Sequence, residues 1–335
     1  METDLPPDLQ AGLDGMMRGV ARIALAQRAT AISEAYRSGR GSAQTIRSMD
    51  DALAYALARL PATYAATTAV LAALGQAVPD FAPRTLLDVG AGPGTASWAA
   101  LRCFPCLRRI ELLDENEFLR QLAGRLLSVS ASDILRGAAY RQGAAQQFLS
   151  SSAPADLTIA GYFIGEVPED LLPSTADMLW SKTAGILVII EPGTTAGFRR
   201  IRKLRSHLIR QNAHVVCPCP HDVECPLTGD DWCHFSQRLN RSRDHRQVKG
   251  ASLPFEDEKF SYVALSRHKP AAPADRVLAA PRVSKASITT KLCTPEGLVM
   301  DVVSRRERDA YRVRKSWRWG DAVRRSAALA DEGNE

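Results

Sequence analysis

Apolar positions recur along the chain first at helical and then at strand-like spacing. Leu13, Met16, Val20, Ile23 and Gln27 trace one face of a long amphipathic segment, which Ser38-Gly39-Arg40-Gly41-Ser42 ends with turn chemistry. A second helix is expected from about Asp50, with Leu53, Leu57 and Leu60 on one face. Pro61 either breaks it or starts a third, in which Val70, Leu71 and Leu74 run up to Gly75. From about Pro83 the spacing changes. Short apolar runs at Thr85 to Val89, Ile110 to Leu113, Asp156 to Phe163, Gly185 to Ile190 and Phe260 to Ser266, with a weaker one near Ala138 to Arg141, alternate with helical stretches. Such alternation predicts an α/β fold built on a doubly wound, mainly parallel sheet over 83–269. An N-terminal helical region over 1–80 precedes it, Pro270 to Pro281 reads as a linker, and a basic extension over 282–335 follows.

The stretch from Thr85 to Trp98 reads as a buried strand, a tight turn and a helix start. Asp88 sits at the carboxyl end of the strand, where open α/β sheets bind ligands, and Gly90, Gly92 and Gly94 let the backbone approach a ligand closely. A dinucleotide fingerprint wants a third glycine where Thr95 stands, and no Gly-Lys-Ser/Thr follows for a P-loop. The pattern resembles motif I of class I S-adenosylmethionine-dependent methyltransferases, which implies a Rossmann-like fold and S-adenosylmethionine as cofactor. Ile110 to Asp114 supplies the second strand and its acid, Asp114 lying 24 residues past Gly90, near the spacing of a ribose-binding acid. The candidate cofactor-binding residues are therefore Asp88, Gly90, Gly92, Gly94 and Asp114.

Composition narrows the class. A chain of 335 residues with 45% hydrophobic content has enough apolar surface for a sizeable core. No run of about 18 apolar residues appears, so no membrane partner is expected. The N-terminus lacks a secretion or transit pattern, and a cytoplasmic protein of bacterial type is expected. Charge is uneven. Arg199 to Lys249 holds 11 Lys/Arg against 5 Asp/Glu and Arg282 to Arg325 holds 12 against 5, which favours a polyanionic partner, RNA first.

Seven cysteines without a secretion signal point to metal or redox use. Four of them, with three histidines, fall within the 21 residues from His214 to His234. The spacing Cys219-x5-Cys225-x7-Cys233 is not the paired zinc-knuckle pattern and leaves zinc and iron–sulfur both open. Cys103 and Cys106 read as small hydrophobes. No Asn-Pro-Pro-Tyr tetrapeptide follows the strand at Asp156, neither Cys103 nor Cys106 lies where a methylating nucleophile belongs, and the catalytic residue is unknown.

The run Pro218-Cys-Pro-His-x3-Cys225-Pro-x5-Trp232-Cys-His-Phe-Ser-Gln-Arg238, with Arg59-Leu-Pro-Ala-Thr-Tyr-Ala-Ala66, Leu87 to Thr95 and Cys293-Thr-Pro-Glu-Gly297, resembles the methyltransferase-like small-ribosomal-subunit assembly proteins of mitochondria and bacteria. That resemblance implies a [4Fe–4S] cluster held by Cys219, Cys225, Cys233 and Cys293, with Cys217 competing for the fourth place. Partners implied are the small ribosomal subunit and its rRNA, the free protein being monomeric. The stretch from Arg305 to Trp319 interleaves aromatics with arginines, as phosphate neutralisation and base stacking require, or else Tyr311 and Trp317 pack on the domain. An active rRNA methyltransferase is the alternative, a zinc-stabilised protein methyltransferase the next.

Overall fold

The computed structural model describes residues 4–37, 41–145, 147, 152–270 and 274–325. In chain order its elements begin with α1 (Pro7–Met16), α2 (Arg22–Arg37), α3 (Ser42–Thr45) and α4 (Met49–Ala77). The first two replace the single amphipathic helix expected from the spacing. Gly19, at φ +80°, breaks it, and the phase shifts so that Leu9, Leu13 and Met17, then Leu25, Ala29 and Ile32, face inward while Ile23 is 78% exposed. The expected turn at Ser38 to Ser42 lies partly outside the described residues. Pro61 neither ends nor starts a helix, since α4 runs through it unbroken. The roughly 3 kcal/mol penalty of an interior proline is offset by burial on nearly every side of α4, with Leu57, Leu60, Tyr64, Val70, Leu71 and Leu74 all inside. By length and composition α4 is apolar enough to cross a membrane, but 72% of that window is buried within the protein, as a core helix is.

The central unit continues through β1 (Thr85–Val89), α5 (Thr95–Cys103), β2 (Arg109–Asp114), α6 (Glu117–Ser128), α7 (Asp133–Arg136), β3 (Ala139–Gln142) and β4 (Ala155–Gly161). After these come α8 (Leu172–Ser181), β5 (Thr183–Pro192), α9 (Thr195–Ile209), β6 (His214–Cys217), β7 (Phe235–Asn240), α10 (Arg243–Lys249) and β8 (Phe255–Ser266). Its strands lie in the order β3-β2-β1-β4-β5-β8-β6, with β7 also on β8. The first five are mutually parallel and β8 runs antiparallel to β5, β6 and β7. The reversal of strand order between β1 and β4 is the switch point at which such sheets bind ligands. Successive residues point to opposite apolar layers. Leu86, Leu112, Ile159 and Val188 join α4, α5 and α6, whereas Leu87, Leu113, Ala160 and Ile189 join α8 and α9. Both faces are covered, which is why these strands read as continuous apolar runs.

β8 spans 12 residues. Its first half pairs with β7 and its second half with β6, on one side, so the cysteine-rich loop between those two strands is presented at the sheet's outer edge. The basic extension is itself a sheet: β9 (Asp275–Val277), β10 (Arg282–Val283), β11 (Ser287–Thr294), β12 (Gly297–Ser304) and β13 (Ala322–Val323), backed by α11 (Arg308–Ser316). Strand β9 falls inside the stretch read as a linker. With three residues, two of them charged, it has no apolar alternation to reveal it.

Candidate cofactor cleft and cysteine pocket

A cleft of about 240 Å³ opens at the carboxyl edge of the parallel strands. Its floor is the β1–α5 turn, whose three glycines all take positive φ: Gly90 at +68°, Gly92 at +52° and Gly94 at +81°. At Gly90 a Cβ would also stand 2.6 Å from Phe163, so no other residue fits there without moving that ring. Asp114, ending β2, holds the turn from the side: Gly92 N–H donates to one of its oxygens and Asn116 N–H to the other, each at 2.8 Å. Burial raises the Asp114 carboxyl, which still offers free lone pairs toward the cleft. Asp88 is 1% exposed and accepts from the Ser97 amide and hydroxyl at 3.0 and 2.7 Å, stitching β1 to α5. Burial outweighs those bonds and pushes its carboxyl up to about 7.

Several cleft residues escaped the sequence reading. The N-terminal helical region, read as a platform without chemistry, contributes Ser42, Tyr55, Thr63 and Thr67 to the lining. Glu166, past β4, accepts from the Ser42 amide at 2.8 Å and its hydroxyl at 2.9 Å, closing that region over the cleft. Tyr162 takes φ +57°, an uncommon backbone for a bulky residue. Its hydroxyl donates to Glu258 at 3.3 Å, and Glu258 pairs with Arg59 at 2.9 Å, tying α4 to β8 behind the cleft. The Arg59-Leu-Pro-Ala-Thr-Tyr64 run, noted only for its resemblance, was the available signal. Among the described residues lining the cleft, Asp88, Asp114 and Glu166 each hold protein donors, and Tyr162 gives its proton to Glu258.

A second, smaller pocket is lined by Cys219, Cys225, Cys233 and Cys293 together with Arg205 and Tyr262. Three of the cysteines come from the loop between β6 and β7, the fourth from the end of β11, 60 residues beyond Cys233. Further contacts clamp the two segments. Arg276 Nε donates to the Pro218 carbonyl at 3.0 Å, Trp319 Nε1 to the His234 carbonyl at 2.9 Å, and Lys291 pairs with Asp231. Burial holds Cys219, Cys233 and Cys293 above the usual thiol range, Cys293 at about 12, and Cys233 is raised further by its three neighbours. Arg205 acts in the opposite sense on Cys219 and Cys293, as does Arg276 on Cys219 and Cys233. His221 Nε2 lies 3.5 Å from the Cys293 sulfur. Cys217 lies in the core on β6, away from this lining, and Cys103 and Cys106 are half-buried near Thr68 and Pro83. Among the described residues no three Cys, His, Asp or Glu side chains converge closely enough to hold a single metal ion.

The basic surface is smaller than the charge count suggests. Arg200, Arg205, Arg238 and Arg241 of the first stretch are bonded internally. In the second, Arg314 is buried against Asp301 at 3.0 Å, and Trp317 packs on Val277, Leu292 and Val323. Trp319 stacks edge-on against His234. Arg305, Arg306, Arg308, Arg312, Lys315 and Arg318 remain exposed. Of the two readings of this stretch, packing describes both tryptophans.

Comparison with known proteins now adds to the geometry. A family model described as mitochondrial small ribosomal subunit Rsm22 matches residues 49–324. The human ribosome assembly protein METTL17, mitochondrial, is 30% identical over 307 residues, covering 81% of this chain and 62% of that protein. Rsm22-cox11 tandem protein 2, mitochondrial, of Schizosaccharomyces pombe is 28% identical over 254 residues, 67% of this chain and 33% of that one. The chain thus spans less than two thirds of these relatives' lengths. Among solved structures, the magnesium protoporphyrin IX methyltransferase of Synechocystis with bound SAH superposes with a TM-score of 0.41 at 10% identity, over 70% of this chain and 93% of that one. The expectation of a cytoplasmic protein is overturned by these matches, because the family and both relatives are described as mitochondrial.

Proposed function

The chain belongs to the Rsm22 family, and from that premise we propose that it is a small-ribosomal-subunit assembly factor whose methyltransferase fold binds S-adenosylmethionine and whose cysteine pocket holds a [4Fe–4S] cluster. The observation that carries the proposal is the meeting of Cys293, from the basic C-terminal sheet, with Cys219, Cys225 and Cys233 of the loop on the central sheet. A cage closed across that junction would fix the exposed arginines of α11 relative to the cleft, so metal loading and the shape of the rRNA-facing surface would be one event.

The donor set fits the group. Four thiols around one pocket are soft ligands suited to iron–sulfur or zinc. The thiols alone suit either metal, and the cluster is the reading that the sequence resemblance implies. The cluster would supply a covalent staple. Its thiolates need protons removed from Cys219, Cys233 and Cys293, whose burial keeps them protonated in the reduced, metal-free chain.

In the cleft, the open backbone at Gly92 suits the methionine moiety and the free lone pairs of Asp114 suit ribose hydroxyls. S-adenosylmethionine would supply an electrophilic methyl group. Among the described acids lining the cleft, Asp88, Asp114 and Glu166 each hold a protein donor and Glu115 stands exposed at its rim, so the choice between an assembly role and methylation falls to a labelling experiment. Anaerobically purified protein mixed with immature small subunits and methyl-labelled S-adenosylmethionine tests this. Protein in the pellet without label in the rRNA is the expected result; label in the rRNA would make the chain a methyltransferase, and protein left in the supernatant would remove the ribosomal role.

A further inference from the structure

Two arginines beside the cysteine pocket are buried without a counter-ion. Arg205 on α9 is 3% exposed and Arg276 on β9 is 5% exposed. Among the described residues neither makes an ion pair with a carboxylate, although other buried cations of this protein, such as Arg314 with Asp301, do. Arg205 Nη2 donates to the carbonyls of His221 and Val223 at 2.7 and 2.9 Å, while its buried Nε has no partner. Arg276 donates to the carbonyls of Pro218 and Gly320 at 3.0 and 2.8 Å. Together they grip the backbone on both sides of Cys219, one from the central unit and one from the C-terminal sheet. Neutral donors would satisfy those carbonyls at far lower desolvation cost, so full charges at these two places need an anion nearby.

We propose that Arg205 and Arg276 are the counter-charges of the thiolate cage, positioning residues that hold the pocket in its metal-loaded form. The inference rests on the reading of the pocket as a cluster site. Four thiolates around a core bearing two positive charges leave two negative charges, and two guanidinium groups cancel them. One arginine comes from the central unit and one from the C-terminal sheet, so each unit brings a counter-charge to the cage along with its cysteines.

The test compares full-length wild type with R205Q, R276Q, R205K and R276K, purified and reconstituted anaerobically. Glutamine keeps a donor for the carbonyls and removes the charge; lysine keeps the charge. Iron and acid-labile sulfide per chain, the rate of iron loss to a chelator, and the rise in Tm on loading are measured. The glutamine variants are expected to lose iron 10–100-fold faster, the range for removing an outer-shell partner, and to show a smaller rise in Tm, while the lysine variants stay near wild type. Should a glutamine variant fail to fold, R205M or R276M takes its place with the same expectation. Glutamine variants indistinguishable from wild type, or lysine variants as impaired as glutamine ones, would overturn the counter-charge role while leaving the cluster in place. Wild type that binds neither iron nor sulfide would overturn both the inference and the reading beneath it.

Discussion

Replacing Gly90 by alanine tests the glycine turn most sharply, because its cost separates into two parts that a control can resolve. The first is conformational: φ of +68° costs an L-residue roughly 1–2 kcal/mol. The second is steric. The added Cβ would lie 2.6 Å from Phe163 Cβ and 2.7 Å from its Cγ, the near end of the side chain, which cannot swing away without moving the backbone after β4. Overpacking of that kind costs about 1–3 kcal/mol. Gly92 at φ +52° bears the first cost alone, its nearest atom being Leu119 Cδ1 at 3.8 Å. Urea unfolding followed by tryptophan fluorescence should therefore place Gly90→Ala about 2–5 kcal/mol below wild type and Gly92→Ala about 1–2 kcal/mol below. In a double-mutant cycle, Phe163→Ala removes the ring but keeps the Cβ at 2.6 Å, so it should recover only part of the steric cost at residue 90 and nothing at residue 92. Calorimetry should show S-adenosylmethionine binding weakened by Gly90→Ala, since Phe163 lines the cleft. Equal costs at the two glycines, with no coupling to Phe163, would refute the close approach that shapes the floor.

Asp88 carries a pH dependence of definite sign. Its carboxyl is raised by burial from 3.8 to about 7, so the folded chain keeps a proton that the unfolded chain releases. Stability is greatest below about pH 4 on this account and falls as pH rises through about 7. Asp88→Asn keeps an acceptor for Ser97 and removes that slope, giving up to about 4 kcal/mol over wild type at pH 8; parallel stability profiles from pH 4 to 8 would contradict it. Cys293→Ser should lower bound iron and loosen the C-terminal sheet, seen as faster proteolysis after Lys269, and unchanged iron would remove Cys293 from the ligand set. Exchanging Arg308, Arg312 and Lys315 for glutamine should flatten the salt dependence of RNA binding by about three units of slope at most, whereas the buried Arg314 should affect folding rather than binding.

Strands β1, β2, β4, β5 and the second half of β8 were legible because each carries its own apolar run, and the glycine turn because it has its own spacing. Thr183–Pro192 and Ala155–Gly161 differ from the expected bounds by only a few residues. What escaped was structure whose stabilisation comes from elsewhere in the chain. Strands β6 and β7 are short and mixed in polarity, and both take their order from β8, which extends five residues further toward its start than the apolar run at Phe260 indicated. The C-terminal sheet hid behind its charges, with β12 keeping Leu298, Met300 and Val302 on an exposed face. The same reason applies to the site. Asp114 and the glycines share one local motif and were found together, whereas Glu166, Tyr162 and Arg59 matter through partners 124, 96 and 199 residues away that no local pattern announces.

The most direct test of an assembly factor whose metal shapes its ribosomal surface is sedimentation of the same protein, cluster-loaded and chelator-stripped, with immature small subunits under anaerobic conditions. Loaded protein should travel with the particle, and stripped protein should remain at the top of the gradient until iron and sulfide are restored. Equal sedimentation of the two forms would contradict the coupling between cysteine pocket and ribosome, and failure of both would contradict the ribosomal role itself.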